Sequence, residues 1–163
     1  MRAAVIAVAL LGGCSGYSLV KPDPVPLDAH AWPPAGWAQV CVLRPHWIAG
    51  AVTLTVHDDG MLMGATRGPS YFCYYAEPGP HQISSEEADV GALDAAHEIR
   101  VTLEAGRRYF LHQAIHPLGH VLEWVDDQRG EEMAQRCGYR VLARSPAGEP
   151  LPQQPPVAPA WRL

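Results

Sequence analysis

The sequence predicts an all-β protein, an antiparallel β-sandwich of prealbumin-like or immunoglobulin-like kind with one or two short helices. Three observations lead there. Between residues 37 and 144 the hydropathy pattern has a period of two, as in Val52-Thr53-Leu54-Thr55-Val56-His57, where apolar and polar side chains alternate. Turn-forming residues recur at short intervals, at Asp59-Gly60, Gly68-Pro69, Pro78-Gly79, Ala105-Gly106 and Pro117-Leu118-Gly119. Helical patterning is confined to residues 85–96 and 129–136, and both stretches are short.

The chain opens with Met1-Arg2, an apolar run from Ala3 to Leu11 and the small pair Gly12-Gly13. Residues 1–13 therefore read as a secretory signal peptide. The run is too short for a membrane span, which needs about 20 apolar residues. Leu11-Gly12-Gly13-Cys14 resembles the lipobox of bacterial lipoproteins, which implies cleavage before Cys14 and acylation of its thiol. By the same resemblance, serine rather than aspartate at position 15 implies passage to the outer membrane. Several acyl chains on one cysteine anchor durably, since each buried methylene contributes about 0.8 kcal/mol. Residues 14–36 follow as a lipidated N-terminus and tether, stiffened by prolines at 22, 24, 26, 33 and 34.

Residues 37–144 form the expected sandwich domain, with strands at 38–44, 51–57, 61–65, 71–77, 81–85, 99–103, 109–115, 121–125 and 139–143. Residues 145–163 are again proline-rich and read as a disordered tail. The full chain carries 12 Lys plus Arg against 17 Asp plus Glu, and removal of residues 1–13 takes away only Arg2. With Arg107-Arg108 as its sole basic pair, the mildly acidic chain offers no nucleic-acid surface.

"AQVCVLRP", "VTLTVHDDG", "YFCYYAEPGPHQI" and "VTLEAGRRYFL" together resemble a group of small secreted or lipid-anchored bacterial proteins classed as a domain of unknown function. The shared positions are Arg44-Pro45, Asp59-Gly60, Pro78-Gly79-Pro80-His81 and Ala105-Gly106-Arg107-Arg108-Tyr109, all turns or strand starts. The resemblance implies a β-sandwich like those of prealbumin-like and surface-layer accessory domains, with no established activity.

Candidate chemistry is sparse. His112, His116 and His120 are spaced by four, but Pro117 and Gly119 forbid a helix, and four residues of strand span about 13 Å, too far to share a metal. A three-residue loop over 117–119 would set His116 opposite His120 and His112 opposite Trp124, giving at most a cross-strand pair. This hairpin is the one alternative that would make the protein a metal-binding periplasmic protein or enzyme. Cys41, Cys73 and Cys137 allow three pairings and leave one thiol over; the pairing expected is Cys73 with Cys137, because Gly138 gives the backbone room to adapt. His57-Asp58-Asp59-Gly60 reads as a hairpin turn before it reads as a calcium loop. Asp126 to Glu132 reads as a solvated loop with an acidic helix start. In Tyr71 to Tyr75 the odd positions share one strand face and the even positions the other, one face being core and the other free to offer tyrosines to a glycan or protein partner. No nucleophile elbow, phosphate-binding glycine loop, dinucleotide fingerprint or C-x-x-C is present. The expectation is a non-enzymatic, cofactor-free, lipid-anchored envelope protein that binds or supports another envelope component.

Overall fold

The computed structural model describes residues 16–23, 32–88, 97–116, 119–146 and 150–151. The expected signal peptide and Cys14 lie outside the described residues, as do most of the expected tail and residues 89–96 of the first expected helix. The elements in order are β1 (Ser18–Val20), β2 (Ala38–Arg44), β3 (Thr53–Asp58), β4 (Met61–Arg67), β5 (Ser70–Ala76), β6 (Gly79–Glu87), β7 (His97–Leu103), β8 (Arg108–His116), β9 (Gly119–Val125), α1 (Asp127–Ala134), β10 (Gly138–Tyr139) and β11 (Val141–Arg144). The protein is an all-β sandwich with one described helix.

One layer is a five-stranded sheet in the order β10-β5-β2-β8-β9, and the other a four-stranded sheet in the order β4-β3-β6-β7. Neighbours are antiparallel except β2 with β8 and β10 with β5. The β2–β8 pairing is parallel because the chain leaves β2 for the other layer, returns once as β5 on the far side of β2, and reaches β8 only after β6 and β7. A two-stranded ribbon, β1 with β11, lies beside these layers.

Strand alternation decides what each sheet face buries. On the inner face of the five-stranded sheet, Val40, Val42, Phe72, Tyr74 and Leu111 pack against Val56 and Ile83 of the facing layer. Each fully buried Val, Leu or Ile contributes about 1.5–3 kcal/mol relative to exposure. Close approach of the layers is visible at Gly64, where a Cβ would run into the Phe72 ring. Polar contacts also cross this core: Thr66 Oγ1 donates to Gln113 Oε1 at 2.6 Å, and Gln113 Nε2 donates to Ser85 Oγ at 2.8 Å. Both amide ends of Gln113 are thus satisfied, which a buried amide requires.

The outer face of the same sheet is buried too. Cys41, Leu43, Tyr71 and Phe110 form a second cluster with Met133 of α1. The helix starts at Asp127, earlier than the sequence pattern suggests, because Asp126 caps it: its side chain accepts from the Arg129 N–H at 2.9 Å. This second layer explains why both faces of Tyr71 to Tyr75 are largely covered. Phe72 and Tyr74 enter the inter-sheet core, while Tyr71 and Cys73 lie on the outer side.

Three expectations need correction. Residues 85–87 continue β6 as strand rather than starting a helix, since Ser84, Ser85 and Glu86 stay in register with β3 or β7. The last expected strand is two, broken at Arg140, whose N–H is taken by the Tyr71 carbonyl at 2.9 Å. Within the expected tether, Ser18–Val20 pairs with β11 and so packs on the domain; three residues among prolines are too few for alternation to reveal.

Candidate functional site

The loop from residue 45 to residue 52 joins the two layers and is organised by one cation. Arg44 ends β2 fully buried, and its guanidinium donates to three carbonyls of the loop: Val52 at 2.8 Å, Ala49 at 2.7 Å and Ile48 at 3.3 Å. Burial lowers the pKa of this guanidinium, with the Glu87 carboxylate opposing the shift. Ala49 is held in the left-handed region at φ 53°, a conformation that costs a non-glycine residue about 1–3 kcal/mol and persists where surroundings enforce it. The loop presents Trp47 and Ile48 to solvent, with 79% and 53% of their surface exposed.

A second constellation forms at the end of β3. Asp58, Asp59, Gly60 and Met61 make a two-residue hairpin, with φ 48° at Asp59 and 80° at Gly60 and Asp58 paired with Met61. Positive φ at both central residues is the type I′ geometry favoured between twisted strands. His81 arrives from β6 on the same face as Asp58. Its Nδ1 lies 2.9 Å from Asp58 Oδ1 and 3.5 Å from Asp59 Oδ2, and its Nε2 lies 2.8 Å from the Glu77 carbonyl. Burial lowers the His81 pKa, but the hydrogen bonds to Asp58 and Glu77 and the two carboxylate charges outweigh it and leave the pKa above its ordinary value. Burial raises that of Asp58, only partly offset by His81. The buried Tyr74 hydroxyl reaches from the opposite layer and interacts with Asp58 electrostatically without good hydrogen-bond geometry; burial and that carboxylate push its pKa well up.

The three histidines of the β8–β9 hairpin do not converge. The loop is two residues, not three, so His116 pairs with Gly119, Ile115 with His120 and His112 with Glu123. His112 lies on the outer face and its Nδ1 is 2.6 Å from Glu123 Oε1. His120 lies on the inner face, with Nε2 3.2 Å from the Ser85 carbonyl and its ring 4.8 Å from that of His97. His116 is exposed. A one-residue difference in loop length separates the side chains, because it flips every side chain of one strand to the other face.

The disulfide also differs from expectation. Cys41 pairs with Cys73, and Cys137 is a free thiol. The reason is register: β2 and β5 are neighbours and place Cys41 directly opposite Cys73, with Cα atoms 4.0 Å apart. Burial pushes the Cys137 thiol up to about 11, against the Arg44 backbone N–H that donates to its sulfur.

Residues 34–122, more than half of the 163, match a family described as protein of unknown function (DUF2846). The chain belongs to the DUF2846 family. No curated protein and no solved structure matches it. The DUF2846 match contains both the Arg44-braced loop and the Asp58-Asp59-His81 constellation, and it stops before α1.

Outside the DUF2846 match, α1 forms one wall of a cavity of about 300 Å³ lined by Trp32, Arg108, Phe110, Asp127, Gln128 and Glu131. Arg108 is already engaged there: Nε donates to Gln39 Oε1 at 2.6 Å, Nη1 to Glu131 Oε1 at 2.9 Å, and the guanidinium lies 5.6 Å from the Trp32 ring centre. Arg44, His81 and Arg108 stand in the sequence motifs without any pattern that marks a binding role. All three lie in turn motifs that mark architecture; His81 meets Asp58 23 positions away and Arg108 meets Gln39 69 positions away, so only tertiary pairing reveals those contacts, whereas Arg44 binds backbone carbonyls four to eight residues on, which no side-chain pattern marks.

Proposed function

We propose that this DUF2846 protein is a lipid-anchored component of the bacterial cell envelope that works as a non-catalytic binding or supporting module. The observation carrying the binding role is the 45–52 loop. A fully buried arginine is committed to holding it, and the loop displays Trp47 and Ile48 outward. Apolar side chains offered on a braced backbone suit a protein or glycan surface, because little entropy is lost when they are covered. The anchor rests on Leu11-Gly12-Gly13-Cys14. Since Ser18 follows Cys14 by four residues and belongs to β1, the domain would stand within about 14 Å of the acylated cysteine, by extended-chain reach. That geometry suits partners at a membrane surface, with the outer membrane as the destination that Ser15 suggests.

The test compares wild type with Cys14→Ser by membrane fractionation and intact mass in the native host, each also carrying a photoreactive residue at position 47. The expected wild type is membrane-bound, lacks residues 1–13, gains acyl mass and yields a discrete crosslinked adduct that weakens in Cys14→Ser. A soluble, unacylated wild type would refute the anchor. Diffuse or absent crosslinking from position 47 would remove the loop as the contact surface.

A further inference from the structure

We propose that Asp58, Asp59 and His81 bind a divalent cation of the zinc class at the rim of the sandwich. Three donor atoms, one from each residue, lie within 4.8 Å of one another. Zinc bonds of about 2.0–2.1 Å in tetrahedral arrangement separate neighbouring ligand atoms by about 3.4 Å. The His81 Nδ1 distances to Asp58 and Asp59, 2.9 Å and 3.5 Å, bracket that value. The third separation, between the two carboxylates, lies within 4.8 Å, so closing the ligand cage around an ion takes a small side-chain adjustment.

The orientation of His81 suits the same reading. The Glu77 carbonyl can only accept, so the Nε2 facing it at 2.8 Å carries a hydrogen. In the neutral imidazole the Nδ1 lone pair then points at two carboxylates, an arrangement that a cation between them satisfies. Metal-bound histidines commonly donate their other nitrogen to a backbone carbonyl in this way. The carboxylates are positioned likewise. Asp59 Oδ1 accepts from the Gln82 N–H at 3.1 Å, leaving Oδ2 toward His81. Asp58 is 4% exposed, and the buried Tyr74 hydroxyl facing it makes no hydrogen bond of good geometry. A buried carboxylate backed by a buried phenol on one side of a histidine makes a prepared pocket rather than a solvated acidic turn.

The donor set selects the cation. One imidazole and two carboxylates suit zinc and its borderline neighbours, whereas calcium takes six to eight oxygens and no nitrogen. The bound ion would join the β3–β4 turn to the start of β6, with solvent completing its coordination.

The test uses the full chain without an affinity tag, stripped with a chelator and titrated with zinc chloride by calorimetry, and with cobalt(II) for its tetrahedral absorption. Expected is saturable 1:1 binding that falls by about 10–100-fold in Asp59→Asn and in His81→Ala and is unchanged in His112→Ala. Asp59 is exposed, so Asp59→Asn keeps the fold and remains informative even if His81→Ala does not. Absence of saturable binding would overturn the proposal and leave His81 as a protonated hydrogen-bond clasp. Binding equally tight in Asp59→Asn and His81→Ala, or calcium binding in preference to zinc, would overturn it as well.

Discussion

A single buried side chain, Arg44, orders the loop that follows β2. Replacing it with methionine keeps much of the volume but strands the three carbonyls that its guanidinium binds. The cost expected is about 3 kcal/mol or more, read from urea unfolding, with proteolytic nicking appearing between residues 45 and 52. Cys137 offers a chemical test. Reaction requires the thiolate, and burial holds the thiol at about 11. Alkylation of the folded protein at pH 8 should therefore be slow and should rise about tenfold per pH unit toward that value; rapid labelling at pH 7 would show the thiol to be open. The sequence showed that one of three cysteines must be unpaired, but not which. Cys41 and Cys73 become partners through the β2–β5 register, a property of two strands 32 residues apart and of neither alone. His81 was legible only as a turn residue, because its meaning depends on Asp58, 23 positions away.

At the scale of elements, α1 owes its position to a missing Cβ. Gly130 lies over the Phe110 ring, and any side chain there would overlap it. Alanine is worth about 1 kcal/mol more than glycine inside an isolated helix. Here the sign should reverse: Gly130→Ala is expected to destabilise by about 1–3 kcal/mol through overpacking, seen as a lower unfolding midpoint with helix and sheet still melting together. The Cys41–Cys73 bridge acts on the same layer. Closing a loop of 32 residues restricts the unfolded chain by about 3–4 kcal/mol in the chain-entropy treatment, so reduction should lower unfolding stability by up to that amount. Element types were readable where a period of two ran through a strand, as in β3, or where a short apolar run was bounded by turn residues, as in β2, whose expected limits coincide with the observed ones. They were unreadable where pairing supplied the order, as in the three residues of β1, or where a cap outside the pattern moved a boundary, as Asp126 does for α1.

Across the whole molecule, the sheet order could not be inferred from local pattern, because alternation identifies strands without saying which ones touch. The ribbon of β1 and β11 shows this best: it joins the two ends of the described chain, with Leu19 opposite Leu142. Leu19→Pro should release it. The expected outcome is faster amide exchange in Val141 to Arg144 while the cores keep their protection; uniform loss of protection would mean that the ribbon is integral to the sandwich. The parallel contact between β2 and β8 has a consequence in time. Gln39 and Arg108, in register there, are 69 residues apart, and β2 is the central strand of its sheet. Until β8 has been made, one edge of an almost wholly apolar strand has no neighbour. A growing chain thus carries its most adhesive strand from early in synthesis and cannot shield it until late, so it would depend on holding chaperones during manufacture. Fragments ending near residue 103 should aggregate where chains ending at 146 stay dispersed.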